Sequence, residues 1–179
     1  MIISKHISLI DTQEKRQALI DAFEENKDLV KIDKFGFEYI SSHDLPEKYD
    51  DKTQHISDTI IGLHEYLNLY APTKNGVQLK YIQIRKQHGD MHVPWHNEKE
   101  WNRLDIHIPL NKTTGGVYRF QHAVISNKMG SVLMFDPNID FWSVDKVETP
   151  HYKIVLRCSD LDPELRYTGQ GDLINYPEV

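Results

Sequence analysis

The reading of this chain turns on His92 to Leu110: His-Val-Pro-Trp-His-Asn-Glu-Lys-Glu-Trp-Asn-Arg-Leu-Asp-Ile-His-Ile-Pro-Leu. These nineteen residues hold three histidines and Glu98. His96 and Glu98 stand two apart, and in an extended chain residues i and i+2 point to the same side. An imidazole and a carboxylate therefore aim at one point. They are two members of a 2-His-1-carboxylate facial triad, which holds Fe(II) on one face and leaves positions open for other ligands. A bare His-x-Glu is a weak signal. Its weight comes from the neighbouring segment, where Leu104, Ile106, Ile108 and Leu110 alternate with Asp105, His107 and Pro109. That is the period of a strand with an apolar face and a polar row.

Downstream and just upstream of this stretch the pattern is strands and turns. Val77–Arg85, Val93–Asn97, Val117–Ile125, Ser131–Phe135, Phe141–Val144 and Tyr152–Cys158 read as strands. His88-Gly-Asp, Asn111–Gly116, Asn127–Gly130 and Asp136–Asn138 separate them as turns. Earlier in the chain, residues 2–10 alternate loosely, as an edge strand would. Asp11-Thr-Gln-Glu14 is a capping box, predicting a helix that ends between Asn26 and Leu29 with Leu19, Ile20 and Phe23 on one face. Phe35–Ile40 reads as a strand with Phe35, Phe37 and Tyr39 on one side. A second helix is predicted over Asp51–Tyr70, striped by Ile56, Ile60, Leu63, His64 and Leu67. The sum is an α+β protein: two N-terminal helices packed on an antiparallel barrel or jelly roll. One domain spans residues 1–179, with helical support over 1–76, the barrel over 77–160 and a C-terminal tail over 161–179.

Composition narrows the function. The chain has 179 residues, is 39% hydrophobic and carries a net charge of −6. No run of Lys and Arg exceeds two residues, which argues against a nucleic-acid partner. Cys158 is the only cysteine, so a disulfide framework and a cysteine-based zinc site are excluded. Neither a basic-then-apolar leader nor an apolar run of membrane-spanning length is visible, so a cytoplasmic protein without a membrane partner is expected. Of the ten histidines, five fall between His88 and His122. His88 and His92 sit in loop sequence, and His64 and His122 read as structural.

His96-Asn-Glu98, Asn102-Arg-Leu-Asp-Ile-His-Ile-Pro-Leu110, Gly130-Ser-Val-Leu-Met-Phe-Asp136, Tyr152-Lys-Ile-Val-Leu156 and Asp160 together resemble the Fe(II)/2-oxoglutarate-dependent oxygenases. The nearest branch is that of the aspartyl/asparaginyl β-hydroxylases and bacterial proline hydroxylases, and the resemblance covers about residues 77–160. It implies a double-stranded β-helix, a jelly-roll barrel of cupin-like form. It also implies Fe(II), 2-oxoglutarate as cosubstrate, and hydroxylation of an amino acid, a peptide side chain or another small polar substrate. Iron would be held by His96, Glu98 and a second histidine, expected near residues 140–144. The sequence there is Asp-Phe-Trp-Ser-Val, so His151 becomes the candidate third ligand. Asp105 stands where the aspartyl-hydroxylase branch has an arginine. The resemblance therefore puts the cosubstrate's carboxylate on Lys153, with Arg157 as second choice on the same strand face. His107 is expected on the wall beside the cosubstrate, and Trp95, Trp101 and Arg103 are the expected substrate contacts. Two other readings remain open: a barrel of this ancestry that binds a ligand or partner without catalysis, and a cupin-like metalloprotein of another reaction type using His96, Glu98 and His107.

Overall fold

The computed structural model describes residues 2–6, 13–41, 44–46, 78–98, 103–129, 131–137, 140–159 and 173–174. In chain order these form β1 (Ile2–His6), α1 (Gln13–Glu25), a 3-10 turn (Lys27–Leu29), β2 (Lys31–Ile32), β3 (Glu38–Ser41) and β4 (Gln78–Gln87). Next come β5 (Val93–His96), β6 (Arg103–Pro109), β7 (Tyr118–Phe120), β8 (Val124–Ile125), β9 (Ser131–Phe135), β10 (Trp142–Val144), β11 (His151–Ser159) and β12 (Leu173–Ile174). They assemble into an eight-stranded sheet, β12-β1-β9-β6-β11-β4-β3-β2, and a four-stranded sheet, β5-β10-β7-β8. Every pairing among the described residues is antiparallel except β1 with β12.

Alternation along β4, β6 and β11 sets the two faces of the large sheet. Ile82, Ile84, Ile106, Ile108, Ile154 and Leu156 are all buried on one face. Helix α1 packs on that side, with Phe23 edge-on to Tyr152. Leu19 and Phe23 are buried as their spacing predicts, and Ala22 rather than Ile20 completes the buried face. The opposite face looks across to the small sheet. There Val93, Tyr118, Phe120, Ile125, Leu133, Phe135, Trp142 and Val144 form one apolar cluster with Phe37.

The predicted barrel strands are present, with local differences. Residues 117–125, predicted as one strand, fold into the hairpin β7–β8, with Phe120 and Ala123 joined by backbone hydrogen bonds across the turn. The strand predicted from Phe35 begins only at Glu38. Asp33 intervenes: its Oδ1 accepts the N–H groups of Phe35 and Phe37, and Gly36 supplies the positive φ of 87°. That is an Asx-type turn, which the Asp-Lys-Phe-Gly sequence favours over extension. Gly115 has φ 85° and bridges to Val147, and a Cβ on it would lie 2.3 Å from the Lys146 carbonyl oxygen. A glycine is required by both sterics and backbone conformation. The second predicted helix, residues 51–70, lies outside the described residues. No helix among the described residues is long and apolar enough to cross a membrane.

Glu24 ties the helix to the sheet. It accepts hydrogen bonds from Lys86 of β4 at 2.7 Å and from the Tyr152 hydroxyl of β11 at 2.6 Å. Burial works against its charge, but the bonds from Lys27, Lys86 and Tyr152 outweigh it and bring its pKa down to about 2. The stabilisation is therefore present above the ordinary carboxylate pKa and is lost as pH falls through the folded value. Glu24→Gln is expected to lower stability by about 1–2 kcal/mol at pH 7. The deficit should shrink between pH 4.5 and about 2; denaturant titrations across that range would measure it.

Candidate active site

The inward row of the large sheet and the end of β5 meet around one cavity of about 250 Å³. Gln83 and Arg85 come from β4, His107 from β6, Lys153 and Arg157 from β11. Val93 and Glu98 enter from the β5 side, and Trp142 from β10. The turn and strand after β2 supply Asp33, Lys34, Phe35, Phe37 and Tyr39. The strand period explains this convergence: Gln83 and Arg85, like Lys153 and Arg157, differ by multiples of two and so share a face.

Glu98 lines the cavity, and His96 stands beside it outside the wall, with His96 Nε2 3.7 Å from Glu98 Oε1. The backbone N–H of Glu98 donates to the Pro137 carbonyl at 2.7 Å, fixing the segment that leaves β5. His96 Nδ1 lies 2.8 Å from the Pro94 carbonyl oxygen. A carbonyl only accepts, so Nδ1 carries a proton, and in the neutral ring Nε2 holds the lone pair. That lone pair is buried and has no hydrogen-bond partner. A neutral imidazole oriented by a backbone carbonyl, with its other nitrogen free beside a carboxylate, suits a divalent metal. The donor set stops at two, however. His96 is paired in register with Trp142 of β10, and their rings lie 4.8 Å apart. Indole carries only an N–H donor and cannot ligate. Among the described residues no group of three His, Cys, Asp or Glu side chains is placed to hold a metal ion.

The charged lining of the cavity is mainly cationic. Lys34, Arg85, Lys153 and Arg157 line it against Asp33 and Glu98. Arg85 is paired with Asp33 at 2.9 Å, and Arg157 lies 3.8 Å from Asp105. Lys153, 3% exposed, donates instead to the Tyr118 hydroxyl at 2.7 Å. The rings of Phe37 and Tyr118 lie 5.3 and 5.1 Å from its Nζ. Tyr118 in turn meets His107 Nδ1 at 2.5 Å. With Lys153 donating to the phenol oxygen, the phenol proton points to His107, whose Nδ1 accepts. Burial, followed by the charge of Arg85, brings the Lys153 pKa down to about 7, with Asp33 opposing. A buried ammonium that meets no carboxylate among the described residues is costly unless a ligand supplies the anion.

The structure brings Glu98, His107, Lys153 and Arg157 to the cavity wall, sets His96 beside Glu98 outside that wall, and leaves other expected residues elsewhere. His151 opens β11 opposite Gln87, and its Nε2 meets the Asn127 amide at 2.5 Å. Burial and the Lys153 charge push its pKa down to about 3, so it is a neutral, buried hydrogen-bond acceptor. It is absent from the cavity wall, so the third-ligand role expected of it gains no geometric support. Trp95 points outward because an irregularity in the β5–β10 register breaks the alternation, so that Val93 and His96, three residues apart, both pair with β10. It is 50% exposed, stacks on Phe141 and is likewise absent from the wall. Trp101 lies outside the described residues. Arg103 is on β6, and its side chain is not among the described parts. Asp33, Arg85 and Tyr118 were not expected at the site. The parity of Gln83 and Arg85 along β4 was the available signal for one of them. The Asp33 contact spans fifty-two residues, and no local pattern encodes it.

The fold is that of the 2OG-Fe(II) oxygenases. A viral collagen prolyl hydroxylase from Paramecium bursaria Chlorella virus-1, solved as a 2OG complex, superposes with a TM-score of 0.68 at 12% identity, over 90% of this chain and 96% of its own. A Trichoplax adhaerens prolyl hydroxylase, solved with a hypoxia inducible factor peptide fragment, gives 0.69 at 10% identity, over 89% and 83%. A 2OG-Fe(II) oxygenase-family oxidoreductase from Burkholderia pseudomallei gives 0.62 at 16% identity, over 90% and 87%. No protein-family model and no curated protein sequence matches the chain.

The Lys153 pKa has a consequence for the ligand-free protein. Between about 7 and its ordinary 10.5 the unfolded chain binds a proton that the folded chain does not. Stability should therefore rise with pH across that window, by up to about 1.4 kcal/mol per pH unit from this group. Lys153→Met is expected to be more stable than the wild type at pH 7 and below, with the gain fading toward pH 10.5. Thermal melts of both proteins from pH 6 to 10 would check this.

Proposed function

We propose that this chain is an Fe(II)- and 2-oxoglutarate-dependent oxygenase that hydroxylates an amino acid, a peptide side chain or another small polar substrate. The observation that carries the reading is a cavity lined by Glu98 and the buried Lys153, with the unpartnered His96 Nε2 standing 3.7 Å from the Glu98 carboxylate. In this reading His96 and Glu98 hold the metal, which when bound supplies the oxygen-activating chemistry. Lys153 receives the distal carboxylate of 2-oxoglutarate, helped by the Tyr118 hydroxyl, in a charge-assisted contact that offsets the cost of its burial. Arg85 and Arg157, already beside Asp33 and Asp105, frame the pocket. Phe35, packed on the His96 ring at 4.9 Å, shields the metal end from water.

A second reading, a binding domain that takes the same dicarboxylate without turnover, is favoured by Trp142 standing opposite His96. Purified protein given Fe(II), ascorbate and 2-oxoglutarate under air separates the two. The oxygenase reading expects succinate to form, and to disappear in His96→Ala. Lys153→Met should weaken 2-oxoglutarate binding roughly 10- to 100-fold, the scale of a lost charge-assisted hydrogen bond. Tight 2-oxoglutarate binding without succinate, unchanged by iron, would favour the second reading. If 2-oxoglutarate does not bind at all, both are wrong.

A further inference from the structure

We propose that Lys153 is a covalent site, whose amine condenses with the carbonyl group of a small carboxylate-bearing aldehyde or 2-oxo acid in the cavity to form an imine. The proposal does not rest on the oxygenase reading, since it needs neither metal nor oxygen. Lys153 is 3% exposed and forms part of the cavity wall, so a ligand meets its Nζ from inside the cavity. The rings of Phe37 and Tyr118 flank Nζ at 5.3 and 5.1 Å. An amine desolvated in an apolar setting beside another cation is pushed toward its uncharged, nucleophilic form. Here burial and the charge of Arg85 act in that direction, with Asp33 opposing. The hydrogen bonds around Nζ run one way. It donates to the Tyr118 hydroxyl at 2.7 Å, and that hydroxyl donates to His107 Nδ1 at 2.5 Å. Burial raises the Tyr118 pKa, so the residue stays a phenol and can pass a proton without storing charge. His107, buried in the same wall, is the terminal acceptor and has no task in the oxygenase reading. Imine formation uses such a relay. The amine lone pair adds to the carbonyl carbon, and the C=O pair moves to oxygen. Both amine protons are then transferred to that oxygen. Each passes by way of Tyr118, which takes a proton as it hands its own to His107 and is refilled in reverse. The oxygen leaves as water and the nitrogen lone pair closes the C=N bond, with no oxidant or reductant consumed. The surplus of cations in the wall, with Lys34, Arg85 and Arg157 against Asp33 and Glu98, selects carbonyl compounds that carry a carboxylate.

Glyoxylate with sodium cyanoborohydride, followed by peptide mass spectrometry, reads the site directly, because reduction turns the imine into a stable secondary amine. With its pKa near 7, about half of Lys153 is free amine at neutral pH, against roughly one part in a thousand or less for an ordinary lysine. Lys153 is therefore expected to be labelled roughly 100-fold faster than the other lysines at pH 7, with the ratio falling toward one by about pH 10. Tyr118→Phe keeps the ring and removes the relay. It should slow Lys153 labelling by about tenfold or more and leave the other lysines unchanged. Labelling of Lys153 no faster than that of the surface lysines at pH 7 would overturn the proposal, and that result requires no variant to fold. So would a Tyr118→Phe protein with a wild-type circular dichroism spectrum and an unchanged Lys153 rate. Succinate formation from 2-oxoglutarate bears only on the oxygenase reading, so the two can fail separately.

Discussion

The site depends on one buried charge. Lys153 sits inside the barrel with a phenol and two aromatic faces for company and no ion pair among the described residues. Desolvation of an ammonium is opposed only in part by a neutral hydroxyl and by ring quadrupoles. The neighbouring arginines do not share this condition. Arg85 has Asp33, and Arg157 has Asp105 nearby. The cavity is therefore not diffusely basic. Among the described residues it has one buried, unmet positive charge, at a defined depth, held by the His107–Tyr118–Lys153 chain of hydrogen bonds. Such an arrangement sacrifices stability in the empty protein for complementarity to an anion.

That charge stays inside because of the strand period. Lys153 lies between Ile154 and Tyr152, and moving β11 by one residue would turn the ammonium to the α1 face and bury Ile154 in the cavity. The register is held from both sides, by β4 and by β6, over nine and seven paired residues. The Glu24–Tyr152 hydrogen bond adds a check from the helix side, since it can form only when Tyr152 faces outward. A long, doubly paired strand is the natural place for a residue that carries so large a desolvation cost.

Much of this was legible along the chain. The alternation of residues 104–110 and 151–157 showed which side chains share a face, so His107, Lys153 and Arg157 could be assigned to one wall. His96 and Glu98 do lie close together, but β5 ends at His96 and Glu98 is fixed instead by its backbone bond to Pro137. What could not be read were contacts made across the sheets. Nothing in Asp33-Lys-Phe-Gly36 announces that Asp33 pairs with Arg85, or that Phe35 packs on His96. His151 has the right residue type and the right parity for a ligand, but it lies at the Gln87 and Asn127 end of its strand. Parity decides the face of a residue, and pairing decides its depth; only the first is local. Trp95 shares the parity of Val93, and only the register shift between β5 and β10, which no local pattern announces, turns it outward.

The cationic lining of the cavity and the His96–Glu98 pair are built by different means. The cationic lining comes from the large sheet, where β4, β6 and β11 are paired along most of their length. The His96–Glu98 pair hangs from β5, an edge strand of the small sheet with two register pairs to β10 and a shift between them. What keeps the two aligned is the aromatic cluster between the sheets. Trp142 and Phe135 pack at 5.1 Å, and Phe135 also lies against His107 at 5.3 Å. Trp142 is therefore both a wall of the cavity and a strut between its halves. A histidine at this position would have less apolar surface to bridge the sheets, while the tryptophan offers no lone pair. Position 142 thus serves the packing between the sheets. The register that places Trp142 there is the same one that orients His96.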